Sequence, residues 1–327
     1  LHERLKSDLK FRYRCGFALA ESPPSVSTFS RVFRHIVDKG IAEQLFRDLV
    51  QLCKAHGVIK GEKVAIDSMA IDAYEKKRSK KQCQDSELAS WGAKFDEMKQ
   101  KITWFGYKIH LAVDTESELP TALEVTTASV NDGDVFPDLV KEHVDLFDGL
   151  KYVIADAGYD QLKCYQAARD YGAQAIIPLN LRNEKEPPEG MTSNGTPICS
   201  MGYEMTYWGS EGRYLKFRCP HATGKVDCPH GTIWCSPSNY GMVVKKKADD
   251  DLRRYAIPHR ESQTWQDLYR KRSCVERCNS RMKSHMTANR LHVQGRDKVK
   301  VIALFNAITL LVQALSMHLR QSMNIAA

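Results

Sequence analysis

Three segments between residues 63 and 129, KVAIDSMAID, KITWFGYKIHLAVD and PTALEVTTAS, limit the possible folds of this chain more than anything else in it. Each is rich in β-branched and aromatic residues and bounded by polar turns, which predicts three strands, with LPTALE supplying a hairpin connection. The turn NDGD at 131–134 caps a helix predicted to run to about residue 147, and LKYVIADAGYD then predicts a buried strand that ends at an acid. A helix over 163–171 and a strand at AQAIIPL follow. The order β-β-β-α-β-α-β implies a mixed α/β core, because a doubly wound parallel sheet needs a crossover between every pair of strands.

Flanking segments divide the rest. Residues 1–60 are predicted helical: Pro23 and Pro24 interrupt, Ser25 or Ser27 caps a helix with Val26, Phe29, Val32, Phe33 and Ile36 at helical spacing, and a second helix starts after Gly40. Such a pair suits either a DNA-gripping helix-turn-helix or a generic helical hairpin. Residues 182–258 shift to Gly, Pro, Cys, His and Tyr with short strand-like pieces, which predicts an insertion into a core made of 61–181 and 259–327. Helix returns over 263–284, and an amphipathic helix over 298–319 is expected to pack into the core. The chain opens inside a helical pattern, which implies that residues precede Leu1.

The formal net charge is +8, and it is concentrated. Arg270, Lys271, Arg272, Arg277, Arg281, Lys283, Arg290, Arg296, Lys298 and Lys300 face only Glu276 and Asp297, as suits an anionic partner such as nucleic acid. The longest apolar run, VIALFNAITLLVQALS, holds Asn306 and Gln313 and falls short of the ~18 residues of a membrane span. Ten cysteines without a secretory signal predict reduced thiols and a cytoplasmic location.

Two acids occupy costly places. Asp67 lies inside the apolar strand VAIDSMAI and Asp156 closes YVIADAG, where a carboxylate needs a cation or donors. Either acid alone suits a turn cap or an ion pair. Two on adjacent strands, joined by a third from a helix, are what two divalent ions about 3.5–4 Å apart require. Glu276 is the candidate third. On one continuous helix Tyr269, Arg272, Glu276 and Lys283 project at about 0°, 300°, 340° and 320°, with Cys274, Val275, Cys278, Met282 and Met286 opposite. That stripe offers a carboxylate for metal, an Arg and a Lys for phosphate, and a Tyr for a hydrogen bond or stacking. Asp72, Asp132, Asp134 and Asp160 are read as turn and helix-start residues, and Lys108 and His110 as a polar strand face.

The spacing Y-x2-R-x3-E-x6-K filled by Tyr269, Arg272, Glu276 and Lys283 resembles the YREK signature of insertion-sequence DDE transposases, a bacterial family. IDS and ADAGYD around Asp67 and Asp156 resemble the first two acids of its triad. FGYKIHLAVD, TTASVNDGDV, RLKSDLKFRYRCGF and STFSRVFRHI resemble the segments around them. The resemblance implies a ribonuclease-H-like core that cleaves transposon ends and joins them to target DNA, with two Mg²⁺ or Mn²⁺ ions on Asp67, Asp156 and Glu276. It implies DNA phosphate contacts from Tyr269, Arg272 and Lys283, a homodimer on double-stranded DNA carrying terminal inverted repeats, and action at the bacterial nucleoid. A stand-alone nuclease of this fold, and an inactive or domesticated DNA-binding protein, are the competing expectations.

In the insertion, Cys199, Cys219, Cys228 and Cys235 suit a structural zinc, although they lack a CxxC knuckle and reduced, partly buried thiols suit them equally. Trp208 and Trp234 suit packing of a small β unit or stacking on a flipped base.

Overall fold

A computed structural model describes residues 1–79, 87–95, 98, 100–181, 184 and 186–325. The predicted insertion boundary at residue 182 lies outside the described residues. Helices α1 (His2–Ser7), α2 (Leu9–Arg14), α3 (Val26–Asp38) and α4 (Ile41–Ala55) lead into β1 (Lys63–Asp72), β2 (Ser90–Phe95), β3 (Lys101–Asp114) and β4 (Pro120–Thr127). Then come α5 (Asp132–Val144), β5 (Tyr152–Ile154), α6 (Leu162–Asp170) and β6 (Gln174–Ile176). The insertion holds β7 (Thr206–Glu211), β8 (Tyr214–Arg218) and β9 (Val243–Lys247), and α7 (Gln263–Arg270), α8 (Ser273–Ser284) and α9 (Arg296–Ile325) close the chain.

One sheet organises the core. Its order is β2-β3-β1-β5-β6, with β4 also paired to β3. The β1–β3 and β3–β4 pairs are antiparallel, while β5 and β6 run parallel to β1, so the sheet is mixed as expected. β1 and β3 approach so closely that a Cβ on Gly106 would lie 1.9 Å from the Ile71 carbonyl oxygen, so only glycine fits. Along β1 the side chains alternate: Val64 and Ile66 pack toward α5 and α6, whereas Ala65, Met69 and Ile71 pack toward α4, α8 and α9. Asp67 therefore belongs to the second face.

The helices follow from their patterns. Ser25 caps α3 by accepting the Thr28 N–H at 3.2 Å, and Gly40 takes the left-handed conformation that lets α4 begin at once. Ala42, Phe46, Val50 and Cys53 of α4 are buried in the same core as the sheet, while α3 buries none of its residues completely. α9 extends further than the predicted 298–319, and by length and composition alone would suit a membrane span. Half of that apolar stretch is buried instead, with Val299, Ala303, Leu304, Ala307 and Leu311 in the main core.

The insertion forms its own antiparallel sheet, β7-β8-β9, around Met205, Leu215, Phe217, Ala248 and Tyr255. Asp160 ties it to the core. That carboxylate, fully buried, accepts from Arg253 at 3.2 and 2.8 Å, from Tyr165 Oη at 2.8 Å and from the Asn180 N–H at 2.7 Å. The expected turn acid is thus a buried hub.

Candidate active site

β1 and β5 pair in parallel through Lys63↔Tyr152, Val64↔Val153 and Ala65↔Ile154. Asp67 and Asp156 each stand two residues beyond the last pair, which sets them at the same level on the same face of the β1–β5 pair. Asp156 lies just past the end of β5, and its carboxylate accepts the Gly158 N–H at 2.7 Å, which caps a short 3-10 turn. Burial pushes the Asp67 carboxyl up to about 6. The Ser68 backbone N–H and Arg272 oppose this, and the charges of Asp156 and Asp132 add to it.

The third acid arrives from across the sheet. α8 buries Cys274, Val275, Cys278 and Met282 against the core, as the helical spacing predicts, and so lies over β1 and β3. The predicted continuous helix over 263–284 is instead two helices. Lys271, Arg272, Cys274 and Val275 donate their N–H groups three residues back, a tightened turn that re-aims the chain between α7 and α8. The stripe nevertheless survives the break. Arg272 Nη2 bonds Glu276 Oε1 at 2.6 Å, the Arg272 guanidinium lies 5.9 Å from the Tyr269 ring centre, and Trp265 stacks on Tyr269 at 5.0 Å. Burial raises the Tyr269 phenol, and the charges of Asp156 and Glu276 act on it as well. Burial lowers the Lys283 ammonium, with Lys94 beside it and Asp67 near enough to oppose the shift.

The structure thus brings Asp67 and Asp156 together and sets Tyr269, Arg272 and Lys283 around them. Glu276 is on the right helix but exposed, its carboxylate held by Arg272. Among the described residues no three His, Cys, Asp or Glu side chains stand close enough to hold a metal ion. The expected three-acid cluster is therefore not closed as the side chains stand, and the cause is direct: an arginine one helical turn away satisfies Glu276, and three unneutralised carboxylates repel.

Other groups went unread in the sequence. Asn279 Nδ2 donates to Asp67 Oδ2 at 3.2 Å, joining α8 to β1. Asp132 starts α5 as expected, yet it also pairs with Lys108 at 2.7 Å and acts on Asp67. Tyr159 is buried beside them, its phenol pushed well up by burial with Asp132, Asp67 and Asp156 adding to the effect. An acid inside an apolar strand announces itself, whereas a neutral amide on a helix carries no such signal.

In the insertion Cys199, Cys219, Cys228 and Cys235 line a single cavity together with His221, and all four are free thiols. Trp208 lies under the Arg218 guanidinium at 4.6 Å, and Trp234 packs against His230.

The family model of the transposase DDE domain matches residues 60–312. A cryo-EM structure of a piggyBac transposase synaptic complex with hairpin DNA is similar at a TM-score of 0.43 and 11% identity, covering 82% of this chain and 50% of that one. The chain spans about half the length of that relative. No curated protein matches.

Proposed function

The chain belongs to the transposase DDE domain family, and from that premise we propose that it cleaves transposon ends and joins them to target DNA, with Asp67, Asp156 and Glu276 as its metal ligands. The observation that carries this reading is the placement of Asp67 and Asp156 at one level on β1 and β5, under the helix that bears Glu276. The donor set fits a hard divalent ion, Mg²⁺ or Mn²⁺: it is all oxygen, and burial together with the charge of Asp156 makes ionised Asp67 costly, a cost that a cation would offset. Two such ions, when bound, stabilise the attacking and leaving oxygens of an in-line phosphoryl displacement.

The chain's own groups do the rest. Arg272, with planar paired donors, and Lys283, a half-buried point charge, hold backbone phosphates beside the acids, and Tyr269 is braced by Trp265 to donate to or stack on the strand. Arg272 now holds the Glu276 carboxylate, so an Arg272 that turned to a phosphate would leave Glu276 free to serve as a ligand. Residues 1–60 extend the DNA surface, supported by α3, which buries no residue completely and exposes Arg31 and Arg34. Two ends must be cut together, so the active complex is a homodimer on double-stranded DNA, at the nucleoid of a bacterial cytoplasm. In the insertion, a structural zinc on Cys199, Cys219, Cys228 and Cys235 is supported by their common cavity, although the thiols must turn to meet one ion. Stoichiometric zinc in the purified protein, lost in Cys228→Ser, is the expected result, and a metal-free, fully folded wild type removes it.

The test is cleavage of a labelled duplex carrying the element's terminal sequences, in Mg²⁺ or Mn²⁺. Asp67→Ala and Asp156→Ala should each lose roughly a thousandfold or more of the rate while still binding the duplex. Cleavage by Asp156→Ala at the wild-type rate would refute the assignment. A strand-transfer assay separates a transposase from a nuclease, which cuts without joining, and binding without any metal-dependent cleavage would mark an inactive relative.

A further inference from the structure

We propose that Asn279 is a positioning residue of the metal site, holding the Asp67 carboxylate against the helix that carries Glu276. The inference rests on the reading of Asp67 as a metal ligand. Asn279 lies only three residues beyond Glu276, and it is 8% exposed, beside Cys274, Val275, Cys278 and Met282, which are wholly buried. An amide set among such neighbours is costly unless its polar atoms are used, and an aliphatic side chain would pack there at no such cost. One atom is used: Nδ2 donates to Asp67 Oδ2 at 3.2 Å. The other, Oδ1, is buried without a partner.

The hydrogen bond does two things. It links β1 to α8, the helix that bears Glu276, and together with the Ser68 N–H it fixes the orientation of the Asp67 carboxylate. A ligand oriented by such a neighbour binds its ion more tightly than one left to rotate, and loss of the neighbour typically costs 10–100-fold in metal affinity. The unpartnered Oδ1 of Asn279 is a buried acceptor on the same side chain that holds Asp67, and a water carried by a bound cation would satisfy it.

The full-length chain, freed of metal, is titrated with Mn²⁺ and free Mn²⁺ is followed by electron paramagnetic resonance. Asn279→Leu keeps the volume and removes both polar atoms, and Asn279→Ala serves as a second variant. Both should bind Mn²⁺ about 10–100-fold more weakly and need correspondingly more Mn²⁺ for half-maximal cleavage, with metal-free duplex affinity unchanged. A thermal melt identifies any variant that fails to fold, and Asn279→Leu, expected to melt at or above the wild type, carries the decision. If it binds Mn²⁺ within twofold of wild type while Asp67→Asn loses the ion, Asn279 only packs and the inference is overturned, with the metal site intact. If Asp67→Asn itself binds Mn²⁺ normally, the metal-ligand reading fails and takes the inference with it.

Discussion

Asp67 shows what a buried carboxyl costs the fold. Its carboxyl is pushed up by burial first, and then by the charges of Asp156 and Asp132. A carboxyl whose folded-state value is raised binds its proton more tightly in the native chain, so stability falls as pH climbs from the unfolded value near 4 through about 6, and above that the full cost persists. Asp67→Asn removes the charge, keeps the shape and still offers Asn279 an acceptor. In EDTA at pH 7.5 it should therefore be more stable than wild type by about 1–3 kcal/mol, read as a rise in the urea midpoint, while losing cleavage. A fall in that midpoint would mean that the carboxylate is held by donors rather than strained by its neighbours. At this scale the placement of Asp67 and Asp156 beside each other on neighbouring strands was legible in the sequence, because a charge inside an apolar strand has few cheap explanations. Asn279 was not, since one uncharged polar residue on a helix is ordinary until the strand beneath it is known.

Elements were legible where the pattern is local and hidden where partners make them. The period-two segments became β1, β3 and β4 at nearly the expected bounds, and the capped helices α3, α4 and α5 began where their caps stand. β2, SWGAKF, was missed: it alternates poorly and exists by pairing with β3, where Gly92 leaves the space that the Trp104 ring fills. The break between α7 and α8 has no Pro or Gly to mark it. It arises because Trp265 and Leu268 anchor one helix in the core while Cys274, Val275 and Cys278 anchor the other. Arg277 and Arg281, off the functional stripe, are taken up by Glu118 at the β3–β4 turn and steady α8 there. Asp160 was placed in a turn, but nothing local shows that Arg253 returns to it from the insertion. Asp160→Ala removes two of the Arg253 guanidinium's bonds, leaving Glu184 as its carboxylate partner, and takes away the acceptor of the Tyr165 hydroxyl and the Asn180 N–H, so it should cost about 1–3 kcal/mol and loosen the insertion first. Protease cleavage within residues 186–258, faster than in the core, is the expected signature, and an unchanged urea midpoint would show that the hub contributes little.

Taken whole, the molecule is legible in its order of strands and helices, and less so in what it buries to hold them together. His110, His143 and His259 all lie in the interior, and burial lowers each to about 4. None was a predicted core residue, because sequence does not separate a histidine paired in the core from one on the surface. His143 shows how the core accommodates one: its ring stacks on Phe147, Nε2 donates to the Gly61 carbonyl at 2.9 Å, and Nδ1 lies 2.9 Å from Thr121 Oγ1, whose hydroxyl also reaches the Ala112 carbonyl at 3.2 Å. Both nitrogens have partners, and burial of the ring is what makes its protonation costly. The unfolded chain takes up these protons near pH 6.5 and the native chain only near 4, so between those values the unfolded state binds more, and stability is lost as pH falls through the window. Glu142, pushed up by burial to about 7, and Asp67 at about 6 slope the other way, since their native forms gain protons over the same range. Three histidines against two acids leave a net loss of stability from pH 7 to pH 5. His143→Gln isolates one contribution: its urea-derived stability should fall with acid by roughly 2 kcal/mol less than wild type over that range. An identical slope in both proteins would show that His143 is already protonated in the native core, or that it stays neutral in both states.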